Sequence, residues 1–209
     1  MDTNQTVIIL LGPPGAGKST IAELLSLEKN IPHISTGDLF YENLANQTEL
    51  GLRVQRYLDR GQLVPDDLVL DIMYDRVSKP DCEKGYILDG IPRNVTQVHE
   101  IEDYLRGKAS IIAVKLVVSD DTVVSRLGGR LFCQKCHHVW NKEQIQQETC
   151  SLCGAELIHR SDDTADAIKE RLKIYHEQTE PIERFFREAG QLKEVDASKP
   201  IQEVISAIR

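Results

Sequence analysis

Every position from 7 to 11 is apolar, residues 12–17 break the run with glycine and proline, and apolar residues then recur at helical spacing over 19–29. This pattern predicts a buried strand, a loop and an amphipathic helix. The texture changes over 35–77, where 38–45, 50–59 and 66–77 read as short amphipathic helices with no strong strand among them. Buried strands return at 86–88 and 111–118, with a helix-like stretch over 95–105 between them. Residues 131–159 interrupt the alternation again with cysteines, Trp140 and polar spacers. A long helical pattern follows over 164–189, then a last strand at 192–195 and a helix at 200–208. Strands alternating with helices predict a parallel α/β sheet, here carrying inserted pieces at the two interruptions.

Composition narrows the picture. The chain has 209 residues, 41% hydrophobic and 28% charged, as expected of one globular core with insertions. The run at 7–11 is too short to cross a bilayer and follows an acid, Asp2, so neither a signal peptide nor a membrane span is expected. A net charge of -8 argues against a general nucleic-acid binder, which needs a basic surface. Five cysteines are an odd number, and four of them form two CxxC pairs. In a chain read as lacking a secretion signal, that spacing points to metal rather than disulfides and to the reducing cytoplasm.

Two constellations carry chemistry. Gly12-Pro-Pro-Gly-Ala-Gly-Lys18-Ser19 fits GxxxxGK[ST] directly after a buried strand and before a helix, the context a phosphate-binding loop requires. Gly15 and Gly17 leave the backbone free to aim amides at phosphate oxygens near a helix N-terminus, and Lys18 adds positive charge. Ser19 supplies a hydroxyl for Mg²⁺ and Asp89, closing a strand, a carboxylate for the ion's waters; an Asp there also serves simply as a turn cap. Cys133-Gln-Lys-Cys136 and Cys150-Ser-Leu-Cys153, thirteen residues apart, have the spacing of a tetrahedral four-thiolate Zn²⁺ site. Four protein ligands close the coordination sphere, so the zinc is expected to be structural. His137 and His138 are then lid surface or packing, and Cys82 an inert thiol outside the set.

The order of further landmarks resembles the adenylate kinase family over nearly the whole chain. After the phosphate loop come Ile34-Ser-Thr-Gly-Asp38, Gly61-Gln-Leu-Val-Pro-Asp66, Leu88-Asp-Gly-Ile-Pro-Arg93, Gly129-Arg130, Arg160-Ser-Asp-Asp163 and Val195-Asp196. The resemblance implies a three-layer P-loop α/β fold with a five-stranded parallel sheet. It assigns residues 1–34, 65–130 and 161–209 to the core, 35–64 to a nucleoside-monophosphate-binding lobe and 131–160 to a zinc-binding lid. The implied reaction is Mg²⁺-dependent phosphoryl transfer, ATP + AMP = 2 ADP, by a cytoplasmic monomer with small-molecule nucleotides as its partners and no nucleic acid or membrane.

The same resemblance implies the site. Gly12, Pro14, Gly15, Ala16, Gly17, Lys18, Ser19, Thr20, Arg126, Arg130 and Lys199 would bind ATP. Thr36, Gly90, Arg93, Gln97, Arg160 and Arg171 would bind AMP. Lys18, Asp89, Arg93, Arg130, Arg160 and Arg171 would form the catalytic set, consistent with a reaction that needs positioning and positive charge more than covalent help. Asp162 and Asp163 would order the arginines, or else cap the helix before Thr164. Trp140 either borders the donor adenine or fills a small lid core. Three positions depart from the family pattern: Ser19 replaces a usual glycine, Ile91 an aromatic, and Tyr41 an arginine directed at the acceptor phosphate. Tyr41 keeps a sister kinase with another acceptor in play, against Thr36 and Gln97, which favour AMP. An ATP-switched zinc-ribbon binding module is the alternative of a different class.

Overall fold

A single strand organises the chain. In β1 (Thr6–Leu11), Val7, Ile9 and Leu11 enter one apolar cluster while Ile8 and Leu10 enter another on the opposite face. A strand covered on both faces has no polar side, hence its unbroken apolar run. The computed structural model describes residues 5–58, 64–133, 135–136, 138–143, 145, 147–159 and 163–209, without the side chains of Tyr41, Ala45 and Leu58.

β1 lies at the middle of a parallel five-stranded sheet in the order β2-β3-β1-β4-β8, formed with β2 (His33–Ser35), β3 (Gly85–Asp89), β4 (Ser110–Val117) and β8 (Leu192–Asp196). On one face pack α1 (Lys18–Lys29) and α9 (Ile201–Ile208) through Ile21, Leu25, Val204 and Ile205. The other face carries α2 (Thr36–Ala45), α3 (Glu49–Leu58), α4 (Asp66–Val77), α5 (Val95–Leu105) and α8 (Glu180–Glu188) through residues such as Leu39, Val54, Ile72, Ile101 and Phe186. The three-layer α/β expectation therefore holds. α2 and α3 build no separate core, since Leu39 and Val54 belong to the sheet's own cluster.

The alternation of strand and helix is as the pattern predicted, with two additions. β2 spans only His33–Ser35, too short to leave a periodic signal, and it runs directly into α2. α6 (Asp120–Gly128), capped by the Ser119 hydroxyl accepting from the Thr122 amide, fills the stretch before the cysteines. There β5 (Arg130–Cys133), β6 (Val139–Asn141) and β7 (Leu157–Ile158) form a three-stranded antiparallel sheet around Cys133, Ile145, Cys150 and Leu157. Among the described residues no helix is long and apolar enough to cross a membrane.

The expected long helix is continuous but not uniform. α7 (Ala165–Ile174) passes through a π-helical turn, Tyr175–Thr179, into α8. The wide turn comes just before Pro181, which lacks an amide hydrogen and crowds the carbonyl four residues back. There Glu183, only 2% exposed, is held by the Lys115 ammonium at 2.6 Å and accepts a hydrogen bond from the Tyr175 hydroxyl. Burial and then the Glu183 carboxylate push the Tyr175 phenol well above its ordinary range. The pair ties β4, α8 and the π turn together.

Removing one member of such a pair strands the other. Glu183→Leu is expected to lower unfolding stability by about 3 kcal/mol in urea titrations, and adding Lys115→Met should recover more than half of that. A single variant as stable as the parent would mean that Lys115 escapes to solvent or to Glu194, 3.8 Å away.

Candidate active site

The site forms beyond the carboxyl ends of β1 and β3, neighbours whose following helices, α1 and α5, leave toward opposite faces of the sheet. Divergent helices open a crevice, the usual ligand position in open parallel sheets. Gly17, with φ 96°, is the N-cap of α1 and offers no side-chain cap. The first amides of the helix are left to whatever anion lies before them, and the left-handed backbone there is one that side-chain-bearing residues rarely adopt.

Lys18 folds back so that its ammonium donates to the carbonyls of Gly12 and Pro13 at 2.8 and 2.9 Å. Burial lowers its pKa to about 8; Asp89 opposes the shift, and the charges of Arg93, Arg171 and Arg130 reinforce it. Asp89 is 6% exposed at the end of β3 and accepts a 2.6 Å hydrogen bond from the Ser19 hydroxyl. His33 Nε2 stands 3.4 Å from the same carboxylate oxygen, in electrostatic reach but not aligned as a hydrogen bond. Burial alone would raise the Asp89 carboxyl, but His33, Lys18 and Ser19 outweigh it and hold the group below the usual carboxylate range.

Next in the chain, Gly90 has φ 84°, and a Cβ there would lie 2.6 Å from Thr36 Oγ1. The missing side chain lets the start of α2 close against the end of β3. Arg93 Nε donates to the Gly90 carbonyl at 2.8 Å. Gln97, buried in the first turn of α5, accepts from the Arg93 amide at 2.6 Å and donates to Asp66 Oδ1 at 2.7 Å.

On the other rim, Arg130 grips Asp163 with two parallel bonds, Nε to Oδ2 at 2.7 Å and Nη2 to Oδ1 at 2.6 Å. Arg171 Nη1 reaches Oδ1 of the same carboxylate at 3.3 Å. Asp163 does not cap the following helix; the Thr164 hydroxyl does, accepting from the Ala167 amide. Arg126 bridges the loop and the end of the sheet, donating to the Ala197 carbonyl at 2.7 Å and reaching that of Ala16 at 3.5 Å. Pro14 lies within the loop, Thr20 in the first turn of α1, and Lys199 stands exposed in the turn after β8. Arg160, Asp162, His137, Gly61 and the Tyr41 side chain lie outside the described residues.

In the small antiparallel sheet the sulfurs of Cys133, Cys136, Cys150 and Cys153 all lie within 4.8 Å of one another, a group able to hold a metal ion. Trp140 packs in that sheet's apolar cluster beside them.

The family model described as adenylate kinase matches residues 10–191. This chain belongs to the adenylate kinase family. It is 44% identical over 207 residues to an adenylate kinase of Clostridium acetobutylicum, covering 97% of this chain and 96% of the relative. An adenylate kinase of Agathobacter rectalis is 43% identical, with 96% of each chain covered, and one of Clostridium botulinum 43% identical, covering 96% of this chain and 95% of the relative. An adenylate kinase is a phosphotransferase acting between nucleotides, a family that generally uses Mg²⁺, and the crevice carries the cations such a transfer requires. Two members of its polar framework left no sequence signal of their own. His33 opens a strand too short to recognise, and Asp66, though it closes a family landmark, shows there no sign of its bond to Gln97.

The lowered Lys18 value generates a linkage. A phosphate beside the ammonium favours its charged form, so binding takes up protons between about pH 8 and the higher pKa of the complex, and affinity falls as pH rises through that window. Calorimetric titration with MgATP at pH 9 should give enthalpies that depend on the buffer's ionisation heat, and titration at pH 7 should not show this lysine contribution. Equal enthalpies at pH 9 would mean that Lys18 is already protonated in the free protein.

Proposed function

We propose that the protein transfers the terminal phosphoryl group of MgATP to AMP, reversibly, giving two ADP. The observation that carries this reading is that Lys18 folds over the phosphate loop, Arg93 is anchored at the end of β3, and Arg130 and Arg171 meet on the one carboxylate of Asp163. Asp89 and Asp163 offset part of this positive charge, and the remainder favours further anionic oxygens among the four cations. In this reading the backbone N–H groups of residues 15–20 and the Lys18 ammonium hold the donor phosphates, with Gly12 and Pro14 shaping the loop, and Arg126 and Lys199 line the donor side. Arg93 binds the acceptor phosphate, with Gly90 and Thr36 shaping its pocket and Gln97 meeting the base. Arg130, Arg171 and Arg160 then neutralise charge on the group in transit and hold donor and acceptor in line.

Ser19 and Asp89 fit Mg²⁺, which keeps several waters and takes few protein oxygens; bound with ATP, the ion would neutralise phosphate charge. The four thiols fit structural Zn²⁺. A tetrahedral site with bonds of about 2.3 Å sets its sulfurs about 3.8 Å apart, and Cys133–Cys153 and Cys136–Cys150 stand at 3.4 and 3.5 Å. Trp140 Nε1 is buried without a hydrogen-bond partner among the described residues, and the ring packs in the cluster that holds Cys133 and Cys150. The metal would supply folding free energy to residues 131–160, which bury too little apolar surface to hold their own shape. Closing as a stiff lid, they would exclude water that otherwise hydrolyses ATP. We further propose that residues 35–64 close over the acceptor, and that the protein acts as a cytoplasmic monomer on free nucleotides.

Incubating the protein with MgATP and AMP, GMP, CMP, UMP or dAMP, with chromatography of the products, tests the reaction. Rapid ADP formation selective for AMP is the expected outcome. Preference for another acceptor would move the protein to a sister kinase, and no transfer by a folded, metal-loaded sample would overturn the reading. For the lid, removing metal with a chelator under reducing conditions should change Trp140 fluorescence and slow turnover at least tenfold while far-ultraviolet dichroism stays near that of the untreated protein. Complete metal loss with unaltered fluorescence and rate would refute a structural zinc.

A further inference from the structure

We propose that Asp66 is a specificity-determining positioning residue that fixes which way the Gln97 amide faces, and thereby selects a 6-amino purine over a 6-oxo purine as acceptor. The proposal rests on the reading in which Gln97 meets the acceptor base.

A glutamine amide is nearly symmetric in shape, and its orientation is settled only by its partners. Here both partners are of one kind each. The Arg93 backbone N–H can only donate, and it meets Gln97 Oε1 at 2.6 Å. The Asp66 carboxylate can only accept, and it meets Gln97 Nε2 at 2.7 Å. Turning the amide over would set donor against donor and oxygen against carboxylate in a residue only 3% exposed, where neither mismatch is relieved by water. Asp66 is itself pinned: its other oxygen accepts from Asn94 Nδ2 at 2.9 Å, and Asn94 Oδ1 accepts from the Gln97 backbone N–H at 2.9 Å, closing a ring of bonds.

The locked amide keeps one N–H and one lone pair in reserve. Adenine offers an amino hydrogen and an adjacent ring nitrogen acceptor, which such an amide satisfies with both atoms. Hypoxanthine and guanine reverse that edge, with an oxygen at position 6 and a hydrogen on N1, and would need the amide turned over. Selectivity would therefore come from denying the wrong orientation as much as from the contact itself.

The test compares kcat/KM for AMP and for inosine monophosphate, with MgATP as donor, in the parent, Gln97→Ala, Asp66→Ser, Asp66→Ala, Asp66→Ser combined with Gln97→Ala, and Asp67→Ala. Serine is well tolerated at a helix start but too short to reach the amide, and Asp67 carries the same charge in the same first turn. Thermal melts confirm folding, and either Asp66 variant suffices if the other fails to fold. Both Asp66 variants should lower the AMP-to-inosine ratio about tenfold or more, chiefly through KM for the acceptor, with KM for ATP unchanged. Asp67→Ala should leave the ratio at the parent value, and in the Gln97→Ala background the Asp66 change should have no further effect on it. A ratio lowered by Gln97→Ala but untouched by either Asp66 variant would overturn the role of Asp66 while keeping the base contact. A ratio untouched by Gln97→Ala would overturn the base contact itself.

Discussion

The pairing of buried carboxylates with clustered cations is the constraint to which the crevice answers. Two acids form these pairs. Asp163, with its side chain 2% exposed, takes a two-pronged grip from Arg130 and a third contact from Arg171. Asp89 sits beneath Lys18 and Ser19 and stays ionised although burial opposes it. Neither acid could be so buried without its cations, and the cations could not stand so near one another without the acids. Each therefore fixes the other, and the loop, α7 and the end of β3 meet where these pairs require.

The backbone serves the same end. Gly17 withholds a cap from α1 and Gly90 removes the one side chain that would push α2 off β3. Asn94 and Asp66 then tie the starts of α5 and α4 together. At their ends these elements meet through hydrogen bonds, so the crevice wall is positioned by directional contacts while the apolar clusters they share beneath it supply bulk stability.

Much of this was legible in the residues, for identifiable reasons. β1 has no polar side because it has no exposed side, and the phosphate loop declares itself because strand, glycines, lysine and helix must be consecutive. The paired cysteines were legible because a tetrahedral ion demands close ligands. What escaped detection was either short or cooperative. β2 has three residues, fewer than one readable period. His33 and Asp66 acquire meaning only from partners at 89 and 97, which no local pattern brings together. Asp163 could be placed with the arginines by resemblance, but not separated from a helix cap until Thr164 was seen to do that work.

The apolar cluster around Cys133, Ile145, Cys150 and Leu157 shares no member with the two clusters that flank the sheet. Substitutions in separate packing units that touch no common side chain tend to be additive. A change inside the small antiparallel sheet thus calls for no compensating change in the large one. Over generations the two parts are free to drift at different rates, provided that Arg130 still leads into β5 and still finds Asp163 on the return.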